Sequence, residues 1–312
     1  MSNLEGLLEQ YQLQKSFPGL EGKLRGWAKP PGKTEEEKIE RSIRMVKAAI
    51  DAHSTLKSKN TTTFVKGSYD KRTNIPADSD VDVAVRLNDI YINDYPEGMN
   101  ATDFNFVDAS YTYDNFKSDV EQAIKDYFGV NQVIVGSKAV KVRANSCRID
   151  ADVVPLAVHR RYKKDLSYEE GIALRDSLNK TIKNWPQQDY DNGVAKNNRT
   201  NKRYKAMVRI LKTVRNEMQE ENIEAAKDIQ SFLIECLLWN VPDDEFGNDQ
   251  YMDDIRNSLD VLIRETSDLK YCKDWGEVNE LKYLFRGSQP WSLHGVNSFL
   301  IAAKKYLVGL GL

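Results

Sequence analysis

The sequence predicts an α+β protein in two lobes around a central cleft: a mixed sheet with bracing helices, then a helical C-terminal lobe. Three observations lead there. β-prone runs alternate with amphipathic segments as far as Pro155, later segments mostly carry helical spacing, and 312 residues suffice for two lobes. The boundary is expected near residue 185, with 1–185 holding the sheet and its N-terminal helices and 186–312 forming the helical lobe. Residues 184–198, rich in turn formers, read as the crossover.

The acids after Thr34 fill the first turn of a helix in which Ile39, Ile43, Val46, Ala49 and Ile50 recur at helical spacing to about Leu56. This helix is expected to brace the sheet. Strands follow at 61–66 and 80–87, then a polar loop from Asp94 to Met99, then a helix over 114–128 closed by Gly129. Three strands near 131–136, 139–144 and 148–155 complete the sheet. The later helices are expected at 203–219, 228–239, 251–265 and 293–307. In the first of them Met207, Val208, Leu211 and Val214 make a core stripe, which leaves Lys205, Arg209 and Lys212 on other faces, by default solvated.

The most informative stretch is Phe64 to Val85. A β-prone run delivers the turn Gly67-Ser68, and about a dozen residues later Asp80 and Asp82 flank Val81 at the start of a second run. Strand alternation puts both acids on one face. Two acids so placed can grip hard divalent cations on a triphosphate, while a Gly-Ser backbone approaches phosphate oxygens unobstructed. That is the chemistry of nucleotidyl transfer. Asp-x-Asp alone is usually a solvated strand end, and Gly-Ser alone says less; in this order each supplies the context the other requires.

The run resembles the signature of DNA polymerase β-type nucleotidyltransferases. Within them it is most similar to the cGAS/DncV-like nucleotidyltransferases of bacterial anti-phage signalling, relatives of animal cyclic GMP-AMP synthase and oligoadenylate synthase. Thr73, Ile75 and Ser79 sit where that family's pattern has them. The resemblance implies a polymerase β-like core and a third metal-binding acid from a later strand. Asp150 and Asp152 share a face of the segment 147–158. Asp152 is preferred because Asp-Val-Val-Pro resembles the family's third-acid motif, and Asp150 remains the rival.

The resemblance further assigns phosphate contacts to Lys212, in Arg-Ile-Leu-Lys, and to Ser231, in a Ser-Phe-x-x-Glu segment. Phe232 fits a base platform or core packing equally. Asn184 lies where related enzymes approach the base, although a turn role suits it better, and Trp185 and Trp291 read as core. The implied reaction joins ribonucleoside triphosphates into a cyclic di- or trinucleotide with loss of pyrophosphate, using Mg2+ or Mn2+ on Asp80, Asp82 and Asp152. Gln289-Pro-Trp-Ser also recurs in the family, without an assigned role.

A formal net charge of −2 gives no global drive toward nucleic acid, so basic clusters at 196–212 and 138–143 are read as serving phosphates. Animal cyclic GMP-AMP synthase carries a zinc-binding insertion that helps it detect DNA; three scattered cysteines and three histidines cannot assemble one here, and that departure from the resemblance puts activation by nucleic acid in doubt. Basal activity, or control by a partner protein, is the more natural expectation, for a cytoplasmic monomer without a membrane segment. Two rival readings remain: an enzyme that makes linear chains or modifies RNA, protein or a small molecule, and a non-enzymatic nucleotide-binding scaffold. An intact set of mutually repelling acids argues against the scaffold.

Overall fold

The computed structural model describes residues 19–30, 32–76, 80–287 and 289–312; Ser79 and the Thr34 side chain lie outside the described residues. The helices are α1 (Leu20–Trp27), α2 (Lys33–Ala52), α3 (Ser68–Lys71), α4 (Tyr113–Phe128), α5 (Pro186–Arg199), α6 (Arg203–Glu220), α7 (Ser231–Trp239), α8 (Tyr251–Glu265), α9 (Leu269–Cys272) and α10 (Leu293–Gly309). The strands are β1 (Thr61–Lys66), β2 (Asp80–Tyr91), β3 (Val133–Val135), β4 (Val140–Val142), β5 (Asp150–Tyr162), β6 (Tyr168–Arg175) and β7 (Thr181–Asn184). The chain divides into two compact units. A sheet unit comprises Lys33–Asp70 and Ser79–Gln187, and a helical unit comprises Met1–Gly32, Lys71–Asp78 and Gln188–Leu312. None of the described helices is long and apolar enough to cross a membrane.

In the sheet unit the strand order is β1-β2-β5-β4-β3, with β6 pairing β5 and β7 pairing β6. Only β2 and β5 run parallel among these pairs. A parallel pair needs a long crossover, and α4 supplies it, capped by Thr112, whose hydroxyl accepts from the Asn115 amide. One sheet face carries Val81, Val83, Val85, Ala151 and Val153 and packs on Val46, Ala49 and Ile50 of α2 and Phe116, Val120 and Ile124 of α4. Each fully buried Val or Ile contributes about 1.5–3 kcal/mol. Period-two alternation therefore turns Asp80, Asp82, Asp150 and Asp152 to the opposite face.

Two expectations about this region need correction. Strand character does not end at Pro155: β5 runs on to Tyr162, and β6 and β7 follow. Proline is tolerated there because, on the side of β5 away from β2, the ladder with β4 ends at Val153 and the ladder with β6 begins at Ala157. Its missing N–H falls between two partners. Residues 184–198 are not a turn-rich crossover either, since α5 begins at Pro186. Proline at a first helical position is pre-organised for a helix, and the polar residues after it were read as turn formers.

The helical unit is built on α6, whose Met207, Val208, Ile210, Leu211 and Val214 are fully buried with Leu233, Ile234 and Leu237 of α7 and Leu20 and Leu24 of α1. The solvated face expected for its basic residues is only partly present. Lys205 is half-buried, whereas Arg209 and Lys212 are enclosed. Arg209 donates to the Ala28 carbonyl at 2.7 Å and the Arg72 carbonyl at 2.6 Å, so a buried guanidinium is satisfied by backbone.

Candidate active site

Register assembles the acids. In the parallel pair Asp80 lies opposite Asp150 and Asp82 opposite Asp152. Lys66 of β1 is registered against Asp82, and Lys141 of β4 against Asp152. A transverse row therefore crosses four strands in the order Lys66, Asp82, Asp152, Lys141. Lys66 Nζ is 3.1 Å from Asp82 Oδ1, and Lys141 Nζ is 2.6 Å from Asp80 Oδ2 and 3.4 Å from Asp150 Oδ2.

The two candidates for the third acid are placed differently. Asp150 accepts a hydrogen bond from the Ala144 amide and faces Lys141. Asp152 is half-buried, and burial, followed by the Asp80 charge, pushes its carboxyl above the ordinary aspartate range despite the opposing pull of Lys141. Lys141 is in turn pushed up, chiefly by its hydrogen bond to Asp80.

Gly67 closes β1 with φ +80, and a Cβ added there would overlap Asp82 Oδ2 and lie 3.4 Å from Asp82 Cγ. Only glycine lets the turn pass this carboxylate. Ser68 opens α3 directly afterwards, and the Tyr69 hydroxyl ties that turn to Glu35 Oε1 of α2 at 3.1 Å.

The donor set, four carboxylates in one patch, is hard and oxygen-only, as magnesium and manganese prefer. Among the described residues Lys66 pairs with Asp82, and Lys141 with Asp80 and Asp150. Among the described residues no three acidic, histidine or cysteine side chains converge closely enough to enclose a metal as they stand. The two ammonium groups hold carboxylate oxygens that a divalent ion would take. The chemistry and placement of the site fit such an ion, and filling it requires these lysines to yield.

Lys212 and Ser231 belong to the helical unit. Lys212 Nζ is wholly enclosed and donates to the Thr73 carbonyl and to Glu235 Oε1, both at 2.9 Å. Ser231 Oγ, at the start of α7, accepts from Arg215 Nη2 at 2.9 Å. Phe232 is half-buried, with Lys71 Nζ 4.8 Å from its ring centre. Asn184 ends β7 with an exposed side chain, and Trp185 is core, its ring 5.3 Å from that of buried His159. Trp291 packs on the helical core and donates to the Leu284 carbonyl. Gln289 donates to Glu277.

Sequence reading missed Lys66, Lys141 and Glu235 as parts of these arrangements. Lys141 stood in a basic cluster and Glu235 in the Ser-Phe-x-x-Glu segment, but what they touch depends on distant strands and helices.

Residues 191–308 match the family described as cGAS/DncV-like nucleotidyltransferase C-terminal helical domain. The chain is 42% identical over 287 residues to the cyclic dipyrimidine nucleotide synthase CdnE of Legionella pneumophila, covering 91% of this chain and 96% of that one. The solved Rhodothermus marinus CdnE c-UMP-AMP synthase, bound to Apcpp and Upnpp, superposes with a TM-score of 0.81 at 32% identity, over 95% of this chain and 98% of the other. The Elizabethkingia meningoseptica CdnE cyclic dinucleotide synthase, bound to GTP and Apcpp, gives 0.77 at 32% identity, over 92% and 98%. An α+β fold with paired acids on parallel strands, a glycine turn set against one of those acids, and such likeness along nearly the whole length agree: the chain belongs to the cGAS/DncV-like nucleotidyltransferases, among the cyclic nucleotide synthases of the CdnE type.

Proposed function

We propose that this enzyme condenses two ribonucleoside triphosphates into a cyclic dinucleotide, with release of pyrophosphate at each bond, as a signal in anti-phage defence. One observation carries the reading: Asp82 and Asp152 face each other in register on parallel strands, with Asp80 beside them and Gly67 against Asp82. Asp80, Asp82 and Asp152 would hold the divalent ions, Mg2+ or Mn2+, which enzymes of this family generally require and which neutralise the triphosphate and acidify the attacking ribose hydroxyl.

The protein's own groups do the rest. Gly67 bares backbone to the β- and γ-phosphates, and the Ser68 hydroxyl donates to them. Asp152, opposite Asp82 in the register, is assigned the proton of the acceptor hydroxyl as that oxygen attacks the α-phosphate. Ser231 orients the triphosphate by hydrogen bonding. The phosphate contact expected of Lys212 is not part of this reading, because its ammonium is wholly enclosed and given to the Thr73 carbonyl and to Glu235. A second transfer in the same site closes the ring.

The identity with the Legionella enzyme favours pyrimidines in the product. The test is incubation with labelled ATP, GTP, CTP and UTP and magnesium or manganese, then phosphatase and mass analysis. A phosphatase-resistant cyclic dinucleotide containing uridine or cytidine is expected. Asp82→Asn, which removes a charge and keeps the shape, should abolish it with the fold intact. Residual activity within a few-fold of the parent would reject the assignment of Asp82.

A further inference from the structure

Residues 71–76, the described part of the strap joining Gly67-Ser68 to Asp80 and Asp82, belong with the helical unit. The described part is held by side chains from two helices. Glu235 of α7 is 3% exposed and uses both carboxylate oxygens: Oε1 accepts from Thr73 Oγ1 at 2.7 Å and from Lys212 Nζ, and Oε2 accepts from Lys71 Nζ. Lys212 also holds the Thr73 carbonyl, and Arg209 holds the carbonyl of Arg72. Arg72 has φ +54, a left-handed conformation costly for a residue with a side chain. Three consecutive residues, one of them strained, are thus gripped through a single buried acid and its neighbours.

We infer that Glu235 is a positioning residue for nucleotidyl transfer: gripping Lys71, Thr73 and Lys212, it sets the course of the strap whose two ends carry the phosphate turn and the metal-binding acids. The inference rests on the proposed function for what lies at those ends. Burial alone would raise the Glu235 carboxyl, but Lys212 and Lys71 outweigh it and hold it at about 2, so the grip is ionic across the working pH range. Asp189, buried nearby and held by Asn279, is pushed up to about 6, chiefly by burial, and does not replace Glu235 in the direct contacts to the strap. Removing the hub charge leaves Lys71 and Lys212 enclosed without their counter-ion. The strap is then free to shift, and displacements of about 1 Å can cost on the order of a hundred-fold in rate.

Hydrogen exchange on the full-length chain tests this without requiring catalysis. In Glu235→Gln the amides of 72–75 should exchange roughly ten-fold faster while those of 233–238 change less than about two-fold. In steady state kcat should fall about a hundred-fold with KM within about three-fold, and Glu235→Asp should recover part of the loss. Thr73→Val removes one grip without stranding a charge, so it covers the case in which Glu235→Gln fails to fold. It should speed exchange at 72–75 by about three-fold and lower kcat several-fold. Unchanged exchange in the strap of either folded variant overturns the inference, as does faster exchange spread evenly through α6 and α7. A parent protein inactive with every nucleotide would reject the proposed function, while the exchange data would still decide whether Glu235 holds the strap.

Discussion

At Gly67 two demands coincide, a backbone at φ +80 and a contact with Asp82 that leaves no room for a methyl group. Gly67→Ala should therefore cost about 1–2 kcal/mol in denaturant unfolding and displace Asp82, lowering turnover by at least about a hundred-fold. Asp152 carries the opposite relation between stability and function. Its folded pKa is raised above the unfolded value of about 3.9, so the folded state binds the proton more tightly. Its contribution is present below that value and lost as pH rises through the folded pKa. Asp152→Asn should then melt higher than the parent at pH 7 in EDTA, with the difference vanishing below about pH 4, yet lose several orders of magnitude in activity. Asp150→Asn should lose far less, because Asp150 is engaged by Ala144 and Lys141. If Asp150→Asn is the inactive variant, the two acids exchange roles. Asp80, Asp82 and Gly67 were legible in the sequence because alternation and the needs of a tight turn are local rules. The grip on Lys212 was not, because a buried counter-ion on another helix leaves no trace in the spacing of α6.

Among the elements, strands and helices with a strong period emerged close to their predicted bounds: α8 was expected at 251–265 and spans Tyr251–Glu265. β6 and β7 were missed because the segments after Pro155 were read as mostly helical, whereas β5 runs on past that proline to where its pairing changes partner. The row Lys66, Asp82, Asp152, Lys141 is a property of register between four strands, which no single segment encodes. Lys141→Met should reveal what that row does. Without metal it removes the ammonium that Asp80 and Asp150 share, so the variant should melt roughly 1 °C below the parent in EDTA, as for a partly exposed ion pair of about 0.5 kcal/mol. Added Mg2+ should close that gap, since a bound cation takes over the neutralisation. A gap that persists in saturating Mg2+ would mean that Lys141 is only a packing residue.

For the whole molecule, the helical unit draws on three separate stretches of chain, an arrangement that reading along a sequence for one boundary does not reveal. Its basic residues matter for what the enzyme responds to. The cluster at 196–212 was read in sequence as serving phosphates, yet Lys196, Arg209 and Lys212 are buried, as is Arg215 just beyond it, and each is held by carboxylate or backbone oxygens, while Arg199 and Lys202 are exposed. Charges spent in the interior cannot displace counter-ions from a polynucleotide. With a net charge of −2 in addition, synthesis should proceed without DNA or RNA, and saturating double-stranded DNA or single-stranded RNA should change the initial rate less than about two-fold. A protein that neutralised several phosphates of an activator would instead show activation falling steeply between 50 and 200 mM salt, by orders of magnitude for about six contacts. Measuring the rate across that range with and without polynucleotide separates the cases, and a strict, salt-sensitive requirement for polynucleotide would overturn this expectation.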